Sequence, residues 1–100
     1  MILEVAQLQI NPDRDPQIFW EAMATAAPLI ARAKGYIQHT VYRCQEVPDR
    51  YLLLVQWQSV EDHMVGFRNS ADFGEWRRIL GPFFAAPPVV EHFEGFYPAP

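Results

Sequence analysis

Along the first ten positions, apolar and polar side chains separate by parity. Ile2, Ala6, Leu8 and Ile10 fall on one side, and Leu3, Val5, Gln7 and Gln9 on the other. That period of two predicts a strand. The stretch NPDRDP then punctuates the chain, and Asp15 is placed to cap a helix whose first residue is Pro16. Phe19, Ala22, Met23, Ala26, Ile30 and Ala33 recur at helical spacing. The helix is expected to run to about Lys34, with Gly35 just past its end and a kink at Pro28.

GYIQHTVYRCQEV reads as a second strand, Pro48-Asp49 as a turn, and YLLLVQW (51–57) as the hairpin partner. Ser59 opens a further helix as its N-cap, with Asp62 three residues on. Asn69-Ser70 interrupts that helix, Ser70 caps the segment ADFGEWRRIL, and Gly81-Pro82 ends it. VVEHFEGF supplies a last strand after a Pro-rich loop.

The order β-α-β-β-α-β predicts an α+β, ferredoxin-like fold with a four-stranded antiparallel sheet. In such a fold the helices cover one sheet face. Yet Leu52, Leu53, Leu54 and Val55 are consecutive, so both faces of that strand want cover. A second copy of the chain is the economical cover, which predicts a homodimer joined sheet to sheet.

Composition narrows the classes. A chain of 100 residues is expected to form a single domain over 1–100. Half its residues are hydrophobic and 14% are aromatic, enough for a lined pocket as well as a core. The net charge is −4 with no basic stripe, which speaks against nucleic acid or an anionic membrane as partner. No apolar run approaches the roughly 20 residues of a membrane span. No leader pattern opens the chain, and the lone Cys44 suits a reducing cytoplasm, so a cytoplasmic location is expected. Cys44 itself reads as a small buried apolar residue.

Candidate chemistry centres on His63. The stripe Val60, His63, Met64 and Phe67 turns it toward the sheet, either as a core histidine held by a backbone carbonyl or as a base in a dry pocket. In the next segment Phe73, Trp76, Arg77 and Leu80 form a second stripe, with Arg77 expected at the rim. His39 shares a strand face with Val41, and His92 one with Val90. The three histidines are too scattered for a metal motif, so no metal is expected. No P-loop, dinucleotide fingerprint or nucleophile elbow occurs.

GYIQHTVYRC, RYLLLVQWQSVEDHMVGFRNSADFGEWRRIL and PFFAAPPVVEHF together resemble the antibiotic biosynthesis monooxygenase domain. The patterns W-x-S-x-x-x-H, F-R-x-S-x-x-F-x-x-W and P-x-V-E-H-F carry the likeness, which spans nearly the whole chain. The resemblance implies a dimeric α/β barrel. It also implies an oxygenase that needs no cofactor and oxidises an electron-rich phenol, quinol or polyketide-type aromatic with O₂. His63 matches a helix histidine of quinol-oxidising relatives, and Phe67 a position often held by an aromatic or a histidine. Haem-degrading relatives carry an iron-ligating histidine where this chain has Glu75-Trp76-Arg77, and an asparagine where it has Ala6-Gln7. On this reading His63 is the base or proton shuttle. Trp57, Phe67, Phe73, Trp76, His39 and His92 would contact the substrate. The same fold also serves polyketide cyclases and isomerases, and a non-catalytic binder of small apolar ligands is the third expectation.

Overall fold

The computed structural model describes residues 1–98. Strand β1 (Ile2–Gln9) leads to helix α1 (Pro16–Ala31), then to strands β2 (Tyr36–Arg43) and β3 (Arg50–Trp57). A π-helical turn (Asp62–Phe67), helix α2 (Ala71–Leu80), a 3-10 turn (Gly81–Phe83) and strand β4 (Val89–Phe93) follow. The strands form one antiparallel sheet in the order β2-β3-β1-β4, the ferredoxin-like arrangement expected. Among the described residues no helix is long and apolar enough to cross a membrane.

Local chemistry explains the element ends. Asp15 accepts the Gln17 N–H at 2.8 Å and Pro16 occupies the first helical position, so α1 begins where its caps dictate. Pro28 does not break the helix but lies in its last turn, and α1 stops at Ala31 rather than near Lys34. Ser70 accepts the Phe73 N–H at 3.2 Å and starts α2. Ser59 likewise accepts the Asp62 N–H at 3.1 Å. Cys44 is half-buried in the β2–β3 connection instead of the core, and its sulfur accepts the Val47 N–H at 3.3 Å.

YLLLVQW divides by parity. Tyr51, Leu53, Val55 and Trp57 are buried, while Leu52, Leu54 and Gln56 are half-buried. The covered face also holds Ala6 and Leu8 of β1, under Phe19, Met23, Ala26 and Ile30 of α1 and Trp76 and Leu80 of α2. The pairing puts Leu3, Val5, Leu52 and Leu54 together on the opposite face, flanked by Tyr42, Val89 and Phe93. Tyr42, Val89 and Phe93 are 58%, 57% and 49% exposed, which is far from core burial.

Two details fix how the helical segments are joined to one another and to the strand ends. Arg32, past the end of α1, makes a two-pronged ion pair with Asp72 of α2, at 2.8 and 2.6 Å. Both groups meet solvent, so the pair contributes little to stability. Gly35 has φ of +84°, and its carbonyl accepts the Gln58 N–H at 2.7 Å. A side chain there would overlap the Asp62 carboxylate at the start of the π-helical turn.

Gly35→Ala should therefore lower stability by about 2 kcal/mol, combining the left-handed backbone penalty with that overlap. Gly74→Ala is its control. Gly74 lies inside α2 with open space where a Cβ would go, so alanine should add roughly 0.5–1 kcal/mol. Urea midpoints of the two variants check both signs.

Candidate active site

A row across the covered sheet face reads His39, Val55, Glu4, His92, one residue from each of the four strands. Glu4 belongs to the central strand β1 and is 4% exposed. Val55 beside it and Ala6 next along β1 are apolar, so its carboxyl group must find polar partners locally. The Trp57 indole N–H donates to Oε1 at 2.9 Å. The His63 ring supplies the second, with Nε2 at 3.3 Å from the same oxygen.

His63 arrives from above the sheet. In the π-helical turn the Arg68 N–H reaches the carbonyl of His63, five residues back, at 3.0 Å. The turn buries His63 and Phe67, four residues apart, and leaves Val60 and Met64 37% and 39% exposed. The expected four-residue stripe is therefore half right. A regular α-helical face would have taken Val60 and Met64 inward, and the wider turn rotates them away. His63 stacks on Trp57, with centroids 5.2 Å apart and planes 18° from parallel. Its Nδ1 meets Nε2 of His92 at 2.9 Å.

The imidazole is thus neither held by a backbone carbonyl nor free on one side. Both of its nitrogens are engaged, in the chain Trp57–Glu4–His63–His92. Because His63 turns opposite nitrogens to Glu4 and His92, the three groups form a line and not a chelate. Among the described residues no set of three or more His, Cys, Asp or Glu is placed to hold a metal ion.

Burial governs the electrostatics. It pushes the Glu4 carboxyl up from 4.5 to about 7, against the smaller downward pulls of the Trp57 N–H and the Arg68 charge. It pushes His63 down from 6.5 to about 4, helped by the charges of His92 and Arg68. Between those values both groups are neutral, so the 3.3 Å contact is a hydrogen bond and not an ion pair. The carboxylate that could have restored basicity to His63 is itself partly protonated.

Glu4 and His63 line one part of a cavity of about 630 Å³ between the sheet and α2. Ala6, Leu8, Leu53 and Val90 floor it, and Phe67, Phe73 and Trp76 wall it. The segment Phe84–Pro88 closes a side, and Arg68 and Arg77 stand at its exposed margin. Trp57, expected as a wall, is fully buried behind the Glu4–His63 pair and does not line the cavity. His92 also stands behind, touching His63. His39 is elsewhere. It receives or donates a 2.6 Å hydrogen bond with the Tyr36 hydroxyl and lines a separate hollow of about 550 Å³ between α1 and β2. Val55 separates it from Glu4 in the sheet. Burial lowers its pKa too.

The fold is that of a small α+β domain with a cavity between sheet and helix. The family model for antibiotic biosynthesis monooxygenases matches residues 1–79, and the chain belongs to that family. It is 44% identical over 94 residues to the uncharacterized protein YczJ of Bacillus subtilis (strain 168), covering 94% of this chain and 98% of that one. A crystal structure from Bordetella bronchiseptica, named for the same family, superposes with a TM-score of 0.91 at 43% identity, covering 95% and 96% of the two chains. SnoaB of Streptomyces nogalater, described as a cofactor-independent oxygenase, matches with a TM-score of 0.77 over 99% and 96% of the chains. At 19% identity that likeness is one of fold.

The two perturbed groups act oppositely on stability. The stabilising contribution of Glu4 is complete below pH 4.5 and is lost as pH rises through about 7. That of His63 is complete above pH 6.5 and is lost as pH falls through about 4. Where the windows overlap they cancel, which hides both. Glu4→Gln keeps an acceptor for Trp57 and removes one titration. Relative to the parent it should gain stability steadily between pH 4.5 and about 7, by on the order of 3 kcal/mol in all. Urea unfolding of both proteins across that range checks it. A difference independent of pH would mean that Glu4 ionises as it does in water.

Proposed function

We propose that the protein is a cofactor-independent monooxygenase acting on a small electron-rich aromatic, a phenol or quinol, inside the cavity between sheet and α2. The observation that carries this reading is the buried Glu4–His63 pair at the inner end of an apolar, aromatic-walled cavity. Membership of the family, and the oxygenase activity named for the fold relative SnoaB, support it.

The chemistry balances without an added reductant. One oxygen atom of O₂ enters a ring carbon, and the other leaves as water with two hydrogens that the substrate gives up. All four electrons taken by O₂ come from the substrate. The protein's share is proton transfer, orientation and exclusion of water. Loss of the phenolic proton makes the ring electron-rich enough to donate to O₂, and a proton must return when the peroxidic O–O bond breaks. A group titrating near neutrality serves both directions. Glu4, at about 7, is that group, with His63 and His92 as its links to the strand edge. His63, held near 4, is a transmitter of protons more than a base at neutral pH.

The active unit in this reading is a homodimer joined through the open sheet face, the dimeric α/β barrel that the sequence suggested. The apolar patch of Leu3, Val5, Leu52 and Leu54 supports it. Such an obligate interface buries on the order of 2,000 Å². Sedimentation at micromolar concentration should give twice the 11.6 kDa chain mass, and Leu54→Lys should give monomer. A monomeric parent protein removes the dimer from the reading.

Oxygen uptake with a panel of hydroquinones, naphthols and anthrones tests the function. Metal-free protein should consume O₂ in step with product. Glu4→Gln and His63→Gln should each cut turnover by about 10²-fold or more, the scale for losing proton transfer by a positioned group. Product without O₂ consumption would reassign the cavity to isomerisation or cyclisation, which the same acid–base pair can serve. Binding without turnover of any kind would leave a ligand-binding dimer.

A further inference from the structure

The cavity is polar at two places of opposite character. Inside, Glu4 and His63 are 4% and 3% exposed. At the margin stand two exposed guanidinium groups, those of Arg68 and Arg77. Arg68 follows the π-helical turn and Arg77 lies two turns further along, in α2. Both cap one cavity wall, with their Cζ atoms 5.1 Å and 5.9 Å from the centre of the Phe73 ring.

Neither guanidinium has a carboxylate partner among the described residues. The other two arginines of this region are neutralised, Arg32 by Asp72 and Arg78 by Glu75. Among the described residues neither Arg68 nor Arg77 makes a salt bridge, and Arg68 bonds only the Met64 sulfur, at 3.9 Å. The chain has twelve acidic side chains against eight basic ones, so carboxylates are not scarce. Of the six basic side chains without an ion pair among the described residues, Arg68 and Arg77 are the two that line this cavity.

We propose that the substrate is an aromatic carboxylate, whose carboxylate group Arg68 and Arg77 hold at the margin while its phenolic end reaches Glu4 and His63. This rests on the monooxygenase reading for the phenolic end only. Planar guanidinium groups match a carboxylate with paired, charge-assisted hydrogen bonds, and Phe73 beneath them pre-orders both side chains. A cavity of about 630 Å³ accommodates a fused two-ring or three-ring body between the two ends. The Arg68 charge also depresses the proton affinity of both inner groups. A bound carboxylate offsets that charge, so Glu4 becomes a stronger base when such a substrate enters.

The test is calorimetric binding to the full-length protein of three probes with one ring system: 6-hydroxy-2-naphthoate, its methyl ester and 2-naphthol. The ester keeps the bulk and removes the charge. The acid should bind at least tenfold more tightly than the ester in dilute buffer, and the preference should shrink as salt rises. Arg68→Gln with Arg77→Gln should abolish the preference and leave ester binding unchanged, which also shows that the cavity is intact. Equal binding of acid and ester, or a preference that survives the double substitution, overturns the carboxylate assignment and leaves the oxygenase reading standing. Failure of all three probes to bind overturns both. Because the readout is binding, absence of O₂ uptake alone would remove the oxygenase reading and not the anion preference.

Discussion

A carboxyl group buried in the middle of the sheet sets the terms for the rest of the site. Glu4 sits on the central strand, on the face that the helices cover, between Val55 and His92 of the neighbouring strands. Burying an ionised carboxylate without a cation is costly enough that the group changes its protonation instead. No guanidinium or ammonium touches it. What reaches it are two neutral partners of the right shape, an indole N–H and an imidazole. Trp57 is on the same face of β3 as Val55, two residues on, which puts its N–H diagonally across from Glu4. His63 needs the wider turn to come down over Trp57. Ala6, the next inward residue of β1, is small, so the space beside the carboxyl stays open as the cavity floor. The polar pair and the empty volume are therefore two consequences of one local arrangement.

Much of this was legible in the chain. The element order and both serine caps follow from period and punctuation, and the structure agrees with them. His63, Phe67, Phe73 and Trp76, which helical spacing aims inward, line the cavity. Glu4 was not found, although it shares the parity of Ile2, Ala6 and Leu8. A charged residue at an inward parity was the available signal. It carries weight only once β1 is known to be central and that face known to be covered, and both are tertiary facts. Val60 and Met64 failed for a different reason. A period of 3.6 does not describe a turn closed by hydrogen bonds five residues apart. His39 and His92 show the limit of strand reasoning: both lie in one row of the sheet, yet the strand order puts only His92 next to Glu4. Two of the patterns that carried the family resemblance, W-x-S-x-x-x-H and P-x-V-E-H-F, hold Trp57, His63 and His92, three of the four members of the chain of contacts.

The line of contacts also couples protonation to tautomer. When Glu4 is ionised, its oxygen only accepts, so a neutral His63 must carry its hydrogen on Nε2. Nδ1 is then bare, and His92 must donate to it from its own Nε2. When the carboxyl proton instead occupies Oε1 and is donated to His63, Nε2 must be bare and the hydrogen moves to Nδ1. The bond to His92 then reverses its direction. One proton gained at the inner end thus shifts a hydrogen through His63 and alters what His92 can offer at the strand edge, with no charge left in the core. A neutral relay of this kind suits the proton-transfer role proposed for Glu4 beside the cavity walled by Phe67, Phe73 and Trp76. It also explains why a low proton affinity at His63 is no handicap, since the ring passes hydrogens between neighbours without having to hold a second one.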